Sequence, residues 1–231
     1  MWSDNPVWGS KLIQAELAKL GINVSDATIR KYRPRARRGD QTWKTFLENH
    51  VKDITAIDFF AVPTATFRVF YVFLVLAHDR RKILHFNITD SPTALWTAQQ
   101  LTEAFPYSTP SRFLLRDRDG IYGLDFTRRA QALGLEQKLI APRAQWQNPC
   151  VERLVGSIRR ECLDHIIVFS EHHLRCKLQQ FIDYYHSHRT HRSLGQDCAE
   201  PRPIEMPDKG KIISLPQLGG LHHRYTRLVA A

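Results

Sequence analysis

The chain has 231 residues, of which 43% are hydrophobic, enough for one sizeable domain with a smaller appendage. Lys and Arg number 33 against 23 Asp and Glu, and the resulting net charge of +10 favours a polyanionic partner, most often nucleic acid. The longest unbroken apolar run, at 69–77, is too short to cross a bilayer, and no signal peptide follows Met1. The cysteines lack CxxC spacing and therefore indicate reduced thiols in a cytosolic protein: Cys150, Cys162, Cys176 and Cys198.

Residues 10–34 predict two short helices joined by a glycine turn. Gly21 ends the first helix and Ser25 caps the second. The first helix has an apolar face formed by Leu12, Ile13, Leu17 and Leu20. This pattern is typical of a DNA-binding helix-turn-helix and equally of an ordinary helical hairpin. We assign residues 1–34 to a partial helix-turn-helix and expect the missing upstream helices to be truncated or to lie elsewhere.

A strongly basic segment follows the second predicted helix. The six basic residues at 30–38, together with Pro34 and Gly39, predict an extended basic stretch that could follow DNA phosphates, and we assign residues 35–48 to a basic linker. A solvated linker without a partner is the alternative. The candidate DNA contacts in this part of the chain are Arg30, Lys31, Arg35, Arg37 and Arg38.

From residue 54 the pattern changes to strands. Three β-rich runs at 54–61, 69–77 and 83–88, separated by short polar turns, predict an antiparallel meander. A helix capped by Ser91, with Pro92 at its first position, is predicted next.

The second half of the chain alternates strands and helices. Strands are predicted at 113–116 and 137–141, separated by a helix that Gly134 closes. Asn148 and a following proline predict the start of the next helix. A long helix at 170–188 comes last. The predicted order, β-β-β-α-β-α-β-α and a final helix, indicates an α/β fold.

Three acids stand at element ends or inside a strand. Asp58 lies in the first predicted strand, Asp117 at the end of the fourth, and Glu152 in the first turn of the helix after the fifth. A salt bridge to a nearby arginine is the alternative role for each acid alone. As a set they predict a divalent-cation site, because clustered carboxylates repel one another and hard oxygen ligands suit Mg²⁺ or Mn²⁺. Two such ions about 4 Å apart could promote reaction at a phosphodiester.

Three motifs carry a family resemblance. They are RDRDGIYG at 116–123, WQNPCVERLVGSIRRECLDH at 146–165 and YYHSHRTHRSLG at 184–195. In order and spacing they resemble the catalytic core of the DDE superfamily of retroviral-type integrases and bacterial insertion-sequence transposases, over residues 43–205. The 35-residue interval between the last two acids agrees with that family.

The resemblance implies a ribonuclease H-like mixed five-stranded sheet flanked by helices, a catalytic core at 49–205 and a tail at 206–231 with a possible β-hairpin. It implies DNA integration or transposition by metal-dependent DNA strand cleavage and transfer, with two Mg²⁺ or Mn²⁺ ions. The acids implied as catalytic and metal-binding are Asp58, Asp117 and Glu152. Asp119 is the rival of Asp117.

The resemblance further implies contacts with DNA. Arg159 and Arg160 would reach phosphates, Trp146 and Gln147 would touch substrate, and Asn148 would cap the catalytic helix. The implied partners are mobile-element ends and target DNA, bound by a homo-oligomer in the nucleoid of a bacterial cytoplasm. A hydrolytic nuclease and an inactive, truncated DNA-binding remnant are the alternatives.

Overall fold

The computed structural model describes residues 1, 8–32, 42–106, 111–142 and 144–228. The chain divides into two compact units, Met1–Phe46 and Leu47–Ala231. The predicted DNA contacts Arg35, Arg37 and Arg38 lie outside the described residues.

The first unit contains the two short helices expected there, α1 at Ser10–Lys19 and α2 at Asp26–Lys31. Ser25 caps α2, because its hydroxyl oxygen accepts the Thr28 N–H at 3.1 Å. Of the predicted apolar face, Ile13 is buried, whereas the Leu12 and Leu20 side chains are exposed. Two helices this short shield little surface, and α1 and α2 bury only one residue each.

A third helix, α3 at Trp43–Asn49, occupies residues assigned from the sequence to the linker 35–48. Thr42 precedes it, and its hydroxyl oxygen accepts the Thr45 N–H at 3.2 Å. The linker assigned to 35–48 therefore contains a helix from residue 43, which a capping threonine starts, whereas most of the stretch predicted to be extended lies outside the described residues.

The second unit is built on a mixed five-stranded sheet of order β3-β2-β1-β4-β5. The first three strands are antiparallel, whereas β4 is parallel to β1 and β5 is parallel to β4. The predicted meander and fold class are thus confirmed. The strand bounds are β1 Ile54–Pro63, β2 Val69–Ala77, β3 Ile83–Thr89, β4 Phe113–Arg116 and β5 Glu136–Leu139.

Helices cover both faces of the sheet. On one face, α4 and α5 enclose a core in which Phe73 and Leu114 of the sheet meet Leu101 and Phe126 of the helices. Helix α6 packs against β1 and β2 through the other face, and α7 packs against β3 at the edge. The bounds are α4 Ala94–Ala104, α5 Leu124–Ala132, α6 Pro149–Glu161 and α7 Glu171–Ser187.

Two helix starts test the capping predictions. Helix α4 is capped by Thr93, whose hydroxyl oxygen accepts the Trp96 N–H at 3.2 Å. The prediction of Ser91 is wrong, because the helix begins two residues beyond the predicted proline position. Helix α7 begins after Ser170, which accepts the His173 N–H at 3.2 Å.

The chain continues into a hairpin of β6, Lys211–Gln217, and β7, His222–Leu228. His222 joins this hairpin to the core, because its ring stacks on Tyr184 with centroids 4.6 Å apart and its Nε2 bonds the Glu161 carbonyl at 2.6 Å. No helix in the described part of the chain is long and apolar enough to span a membrane.

Candidate active site

The register of the central strands places two of the three acids side by side. Ala56 of β1 pairs with Leu115 of β4 in the parallel ladder. Two residues further along both segments, the same register sets Asp58 beside Asp117, the residue that directly follows β4. Because β1 runs on beyond the end of β4, Asp58 lies inside a strand while Asp117 begins a loop.

Helix α6 brings the third acid to the same place. Glu152 stands in its first turn, and Asp58, Asp117 and Glu152 all line one cavity of about 420 Å³. Val155 and Arg159 line it from the next turns of the helix, at the spacing expected of one helical face. The structure therefore brings together three acids that are 59 and 35 residues apart in sequence.

The surroundings of Asp58 disfavour its charged form. Its pKa is raised to about 7, chiefly by burial and to a lesser extent by the Glu152 and Asp117 carboxylates, while the Phe59 N–H that donates to Oδ1 at 2.8 Å acts in the opposite direction. Tyr122 lies against Phe59, with ring centroids 6.1 Å apart, as part of the apolar core. Near neutral pH the cavity thus holds a carboxyl that a cation would convert to carboxylate.

The acids are not gathered around a common point. No group of three or more His, Cys, Asp or Glu residues in the described ranges stands close enough to hold a metal ion. Asp117 instead accepts the Asp119 N–H at 3.1 Å, and Asp119 accepts the Ile121 N–H at 3.0 Å. Asp119 does not line the cavity, which makes Asp117 the better placed of the two rivals.

Asn148 adds a neutral oxygen donor to the cavity. It occupies the N-cap position of α6 but makes no side-chain capping bond, so the predicted capping role is wrong. Its side chain is 3% exposed, and its Oδ1 is buried with no hydrogen-bond partner among the described groups. An unpaired buried acceptor is unfavourable. Carboxylate and amide oxygens are the donor types that suit a hard divalent cation.

The other residues expected to touch substrate differ in exposure. Gln147 holds the loop after β5, because its Oε1 accepts the Ala141 N–H at 2.6 Å. Trp146 is 68% exposed, and neither side chain lines the acidic cavity.

The two arginines near the end of α6 diverge. Arg159 lines the acidic cavity, where it donates to the Ala61 carbonyl at 3.2 Å and lies over the Phe60 ring at 5.7 Å. Arg160 lines a different cavity, because consecutive helical residues point about 100° apart. Their pairing in sequence therefore does not give them a shared position.

The predicted DNA contacts in the first unit lie on α2. Arg30 is paired with Asp26 at 2.6 Å and also donates to the Ser10 hydroxyl at 3.4 Å. Lys31 is exposed at the end of the helix.

Sequence reasoning missed the structural role of the 184–195 motif. Arg189 makes a two-pronged ion pair with Glu161 at the end of α6, with both N–O distances 2.7 Å. His191 is buried beside it and bonds the Tyr185 carbonyl at 3.3 Å. The only sequence signal was the recurrence of Arg and His after a Tyr pair, which does not reveal a partner 28 residues upstream.

Comparisons with known proteins agree with this architecture. Residues 133–197 match the family model described as Integrase core domain. No curated protein sequence matches the chain. A chain of the simian T-cell lymphotropic virus intasome in complex with PP2A regulatory subunit B56 gamma is similar in structure, with 15% identity and a TM-score of 0.53 over 94% of this chain and 86% of that one.

Transposase structures are similar as well. The catalytic domain of Mos1 mariner transposase has 12% identity and a TM-score of 0.53, over 61% of this chain and 77% of that one. The Mos1 catalytic domain with Raltegravir and Mg has a TM-score of 0.52 at 12% identity, over 61% and 78% of the two chains. The ribonuclease H-like fold and the resemblance to integrase and transposase cores are thereby confirmed.

Proposed function

From its integrase-type core, we propose that this chain cleaves DNA strands and transfers them to new sites, as a DDE-type transposase or integrase does. At the family level the matched segment supports DNA integration or transposition. The observation that carries the proposal for this chain is the single cavity lined by Asp58, Asp117 and Glu152, in which burial and two neighbouring carboxylates raise the pKa of Asp58 to about 7.

Asp58, Asp117 and Glu152 would hold Mg²⁺ or Mn²⁺, two ions in all, and the Asn148 amide oxygen is a further donor. When bound, such ions activate an attacking oxygen and stabilise the leaving oxygen of a phosphodiester. Asp58 then acts as a carboxylate, since a neighbouring cation lowers the pKa that burial raises. The solved Mos1 catalytic domain with Mg supports this choice of metal.

DNA is the proposed partner. The net charge of +10 suits a polyanion, and Arg159 places a guanidinium at the acidic cavity, where it would contact a phosphate beside the reacting one. A homo-oligomer on DNA is proposed because joining two ends requires both to be held together.

The test is nicking of supercoiled plasmid DNA in Mg²⁺ or Mn²⁺. We expect wild-type nicking to require the metal and to be lost in Asp58→Asn, Asp117→Asn and Glu152→Gln. Asp125→Asn is the matched control, because Asp125 is an exposed acid on α5 outside the cavity. Undiminished nicking by all three cavity variants would refute the proposal.

Strand transfer is distinguished from hydrolysis by supplying an oligonucleotide with a free 3′ hydroxyl and a target plasmid. Covalent joining supports the transposase or integrase reaction, whereas nicking without joining identifies a hydrolytic nuclease on the same fold.

One observation favours an inactive, truncated DNA-binding remnant as a second candidate function. Among the described residues, the acids of the cavity do not stand close enough together to hold a metal ion. Metal-independent DNA binding without cleavage would identify that remnant.

A further inference from the structure

A second cavity, of about 410 Å³, lies on the side of α6 away from the acids. Arg153, Ser157 and Arg160 line it from α6, at the spacing of one helical face. Arg81 lines it from the turn after β2, and Arg189 and Arg192 from the segment after α7. Five arginines from three separate parts of the chain therefore converge on one space, which we call the arginine cavity.

The arginine cavity carries a large unbalanced charge. The Arg189 charge is balanced by Glu161 through the two-pronged pair. No ion pair with an acid occurs in the described structure for the side chains of Arg81, Arg153, Arg160 or Arg192, and no Asp or Glu is among the described residues that line the cavity. Like charges that line one cavity repel one another, and an anion bound between them would relieve that repulsion.

The backbone that presents Arg81 is held in an uncommon conformation. Arg80 and Arg81 both have positive φ, 47° and 57°, which is unfavourable for residues other than glycine. Arg80 is fixed by its pair with Asp197 at 2.7 Å and by bonds to the Cys198 and Ala199 carbonyls at 2.7 and 2.9 Å. These contacts hold the turn that brings Arg81 to the cavity.

Arg189 is held just as firmly. Besides the Glu161 pair, its guanidinium lies 5.5 Å from the centre of the Tyr185 ring and bonds His191 Nδ1 at 3.2 Å. Contacts within the protein therefore fix the Arg81 turn and the Arg189 side chain at the arginine cavity, whereas the side chains of Arg153 and Arg192 are exposed at its rim.

We propose that the arginine cavity binds a phosphate of the DNA backbone, at a point separate from the reacting phosphodiester. Forked guanidinium groups from several directions match the oxygens of a phosphate. Exposed arginines at the rim suit a long polyanion that passes over the protein. The two cavities are separated by the thickness of α6, about 10–12 Å, which corresponds to about three steps of duplex DNA.

This inference rests on the proposed function only in taking DNA as the ligand. It is tested by binding of a labelled DNA duplex in EDTA, where cleavage plays no part, at several salt concentrations. The full-length wild type is compared with the Arg153→Gln, Arg192→Gln double variant. The matched control is Arg128→Gln, Arg129→Gln, which removes two exposed arginines from α5 outside the arginine cavity.

We expect the Arg153→Gln, Arg192→Gln variant to bind DNA about tenfold more weakly than the wild type at moderate salt. The slope of log K against log[salt] should be smaller in magnitude by about one to two for this variant. The control should change affinity less than about twofold. Equal losses in both variants would overturn the inference, because they would indicate a diffuse charge effect. Thermal melting of both variants verifies that they remain folded.

Inorganic tripolyphosphate separates DNA from a free phosphate compound. If it raises the wild-type melting temperature but not that of the cavity variant, while the two bind DNA equally, the inference of a DNA site is overturned. Loss of DNA affinity in the cavity variant supports the inference even if the wild type never nicks DNA. Normal metal-dependent nicking with no selective loss of affinity refutes the arginine cavity alone.

Discussion

Helix α6 separates two cavities of opposite charge, and they avoid electrostatic repulsion in different ways. In the acidic cavity the carboxyl of Asp58 is buried beside two other acids, and its pKa rises to about 7. In the arginine cavity the guanidinium of Arg189 is paired with Glu161, and the side chains of Arg153, Arg160 and Arg192 are exposed to solvent. A single buried carboxyl such as that of Asp58 can reduce repulsion by keeping its proton until a cation binds, whereas arginine side chains rely on solvent or on a fixed partner.

The largest expected effect comes from removing one carboxylate from the acidic cavity. Asp117→Asn should lower metal-dependent plasmid nicking on the order of 10³-fold, since losing a metal ligand removes several kcal/mol of transition-state stabilisation. Calorimetric titration with Mn²⁺ on the same samples should show weakened binding. Unchanged Mn²⁺ affinity would transfer the ligand role to Asp119 or to another acid.

The second-largest expected effect comes from removing the ion-pair partner of Arg189 at the arginine cavity. Glu161→Gln should lower the free energy of unfolding by about 2 kcal/mol, because it leaves the half-buried Arg189 without its charge partner. Chemical denaturation measures this loss. The exposed pair Arg175–Glu171 provides the control, and Glu171→Gln should cost less than about 1 kcal/mol. Equal costs would mean that the 184–195 motif does not anchor α6.

A smaller expected effect is the pH dependence of the free energy of unfolding that the Asp58 carboxyl causes. Because the folded pKa of Asp58 lies above the unfolded value of 3.8, the native state binds an extra proton between about pH 4 and pH 7. The stability that Asp58 contributes is therefore fully present below about pH 4 and is lost as the pH rises through about 7. Asp58→Asn lacks this dependence, so it should gain about 2–3 kcal/mol over the wild type between pH 5 and pH 8.

Denaturant unfolding at both pH values, without divalent cations, measures that gain. Added Mg²⁺ should narrow the difference at pH 8, because only the wild type keeps the full ligand set. Asp125→Asn is the control and should follow the wild type at both pH values. Parallel pH profiles for wild type and Asp58→Asn would contradict the raised pKa.

The smallest effect compares the two arginines on either side of α6. Arg160→Gln should weaken duplex binding about two- to fivefold without changing the rate of nicking at saturating DNA, since Arg160 lines only the arginine cavity. Arg159→Gln should lower that rate as well, because Arg159 lines the acidic cavity. Identical kinetic behaviour of both variants would mean that α6 does not divide the DNA contacts in this way.

Much of the fold followed from local pattern. Apolar runs of strand length predicted β1 to β4 within a few residues, and the long helix predicted at 170–188 corresponds to α7. The errors arose where two local signals competed. Ser91 and Thr93 are both good caps, and only the contact with Trp96 shows which one starts α4.

The sequence predicted which acids share the site, but it did not predict the hydrogen bonding of Asn148 or the directions of the nearby arginines. The order and spacing of the acids indicated a shared site, and the structure places them on one cavity. The free oxygen of Asn148 was missed, because an asparagine before a proline normally indicates a cap. The divergence of Arg159 and Arg160 required the orientation of α6 against the sheet.

The sequence by itself determined most of the strands and helices, and that three acids stand at strand and helix positions, because periodicity and spacing are properties of neighbouring residues. Only the tertiary structure decided that the Asp58 carboxyl titrates near pH 7 and that Arg81, Arg153 and Arg192 share one cavity. Both depend on contacts between segments far apart in the chain. Burial and electrostatic interaction act over a few ångströms in space, whatever the separation in sequence.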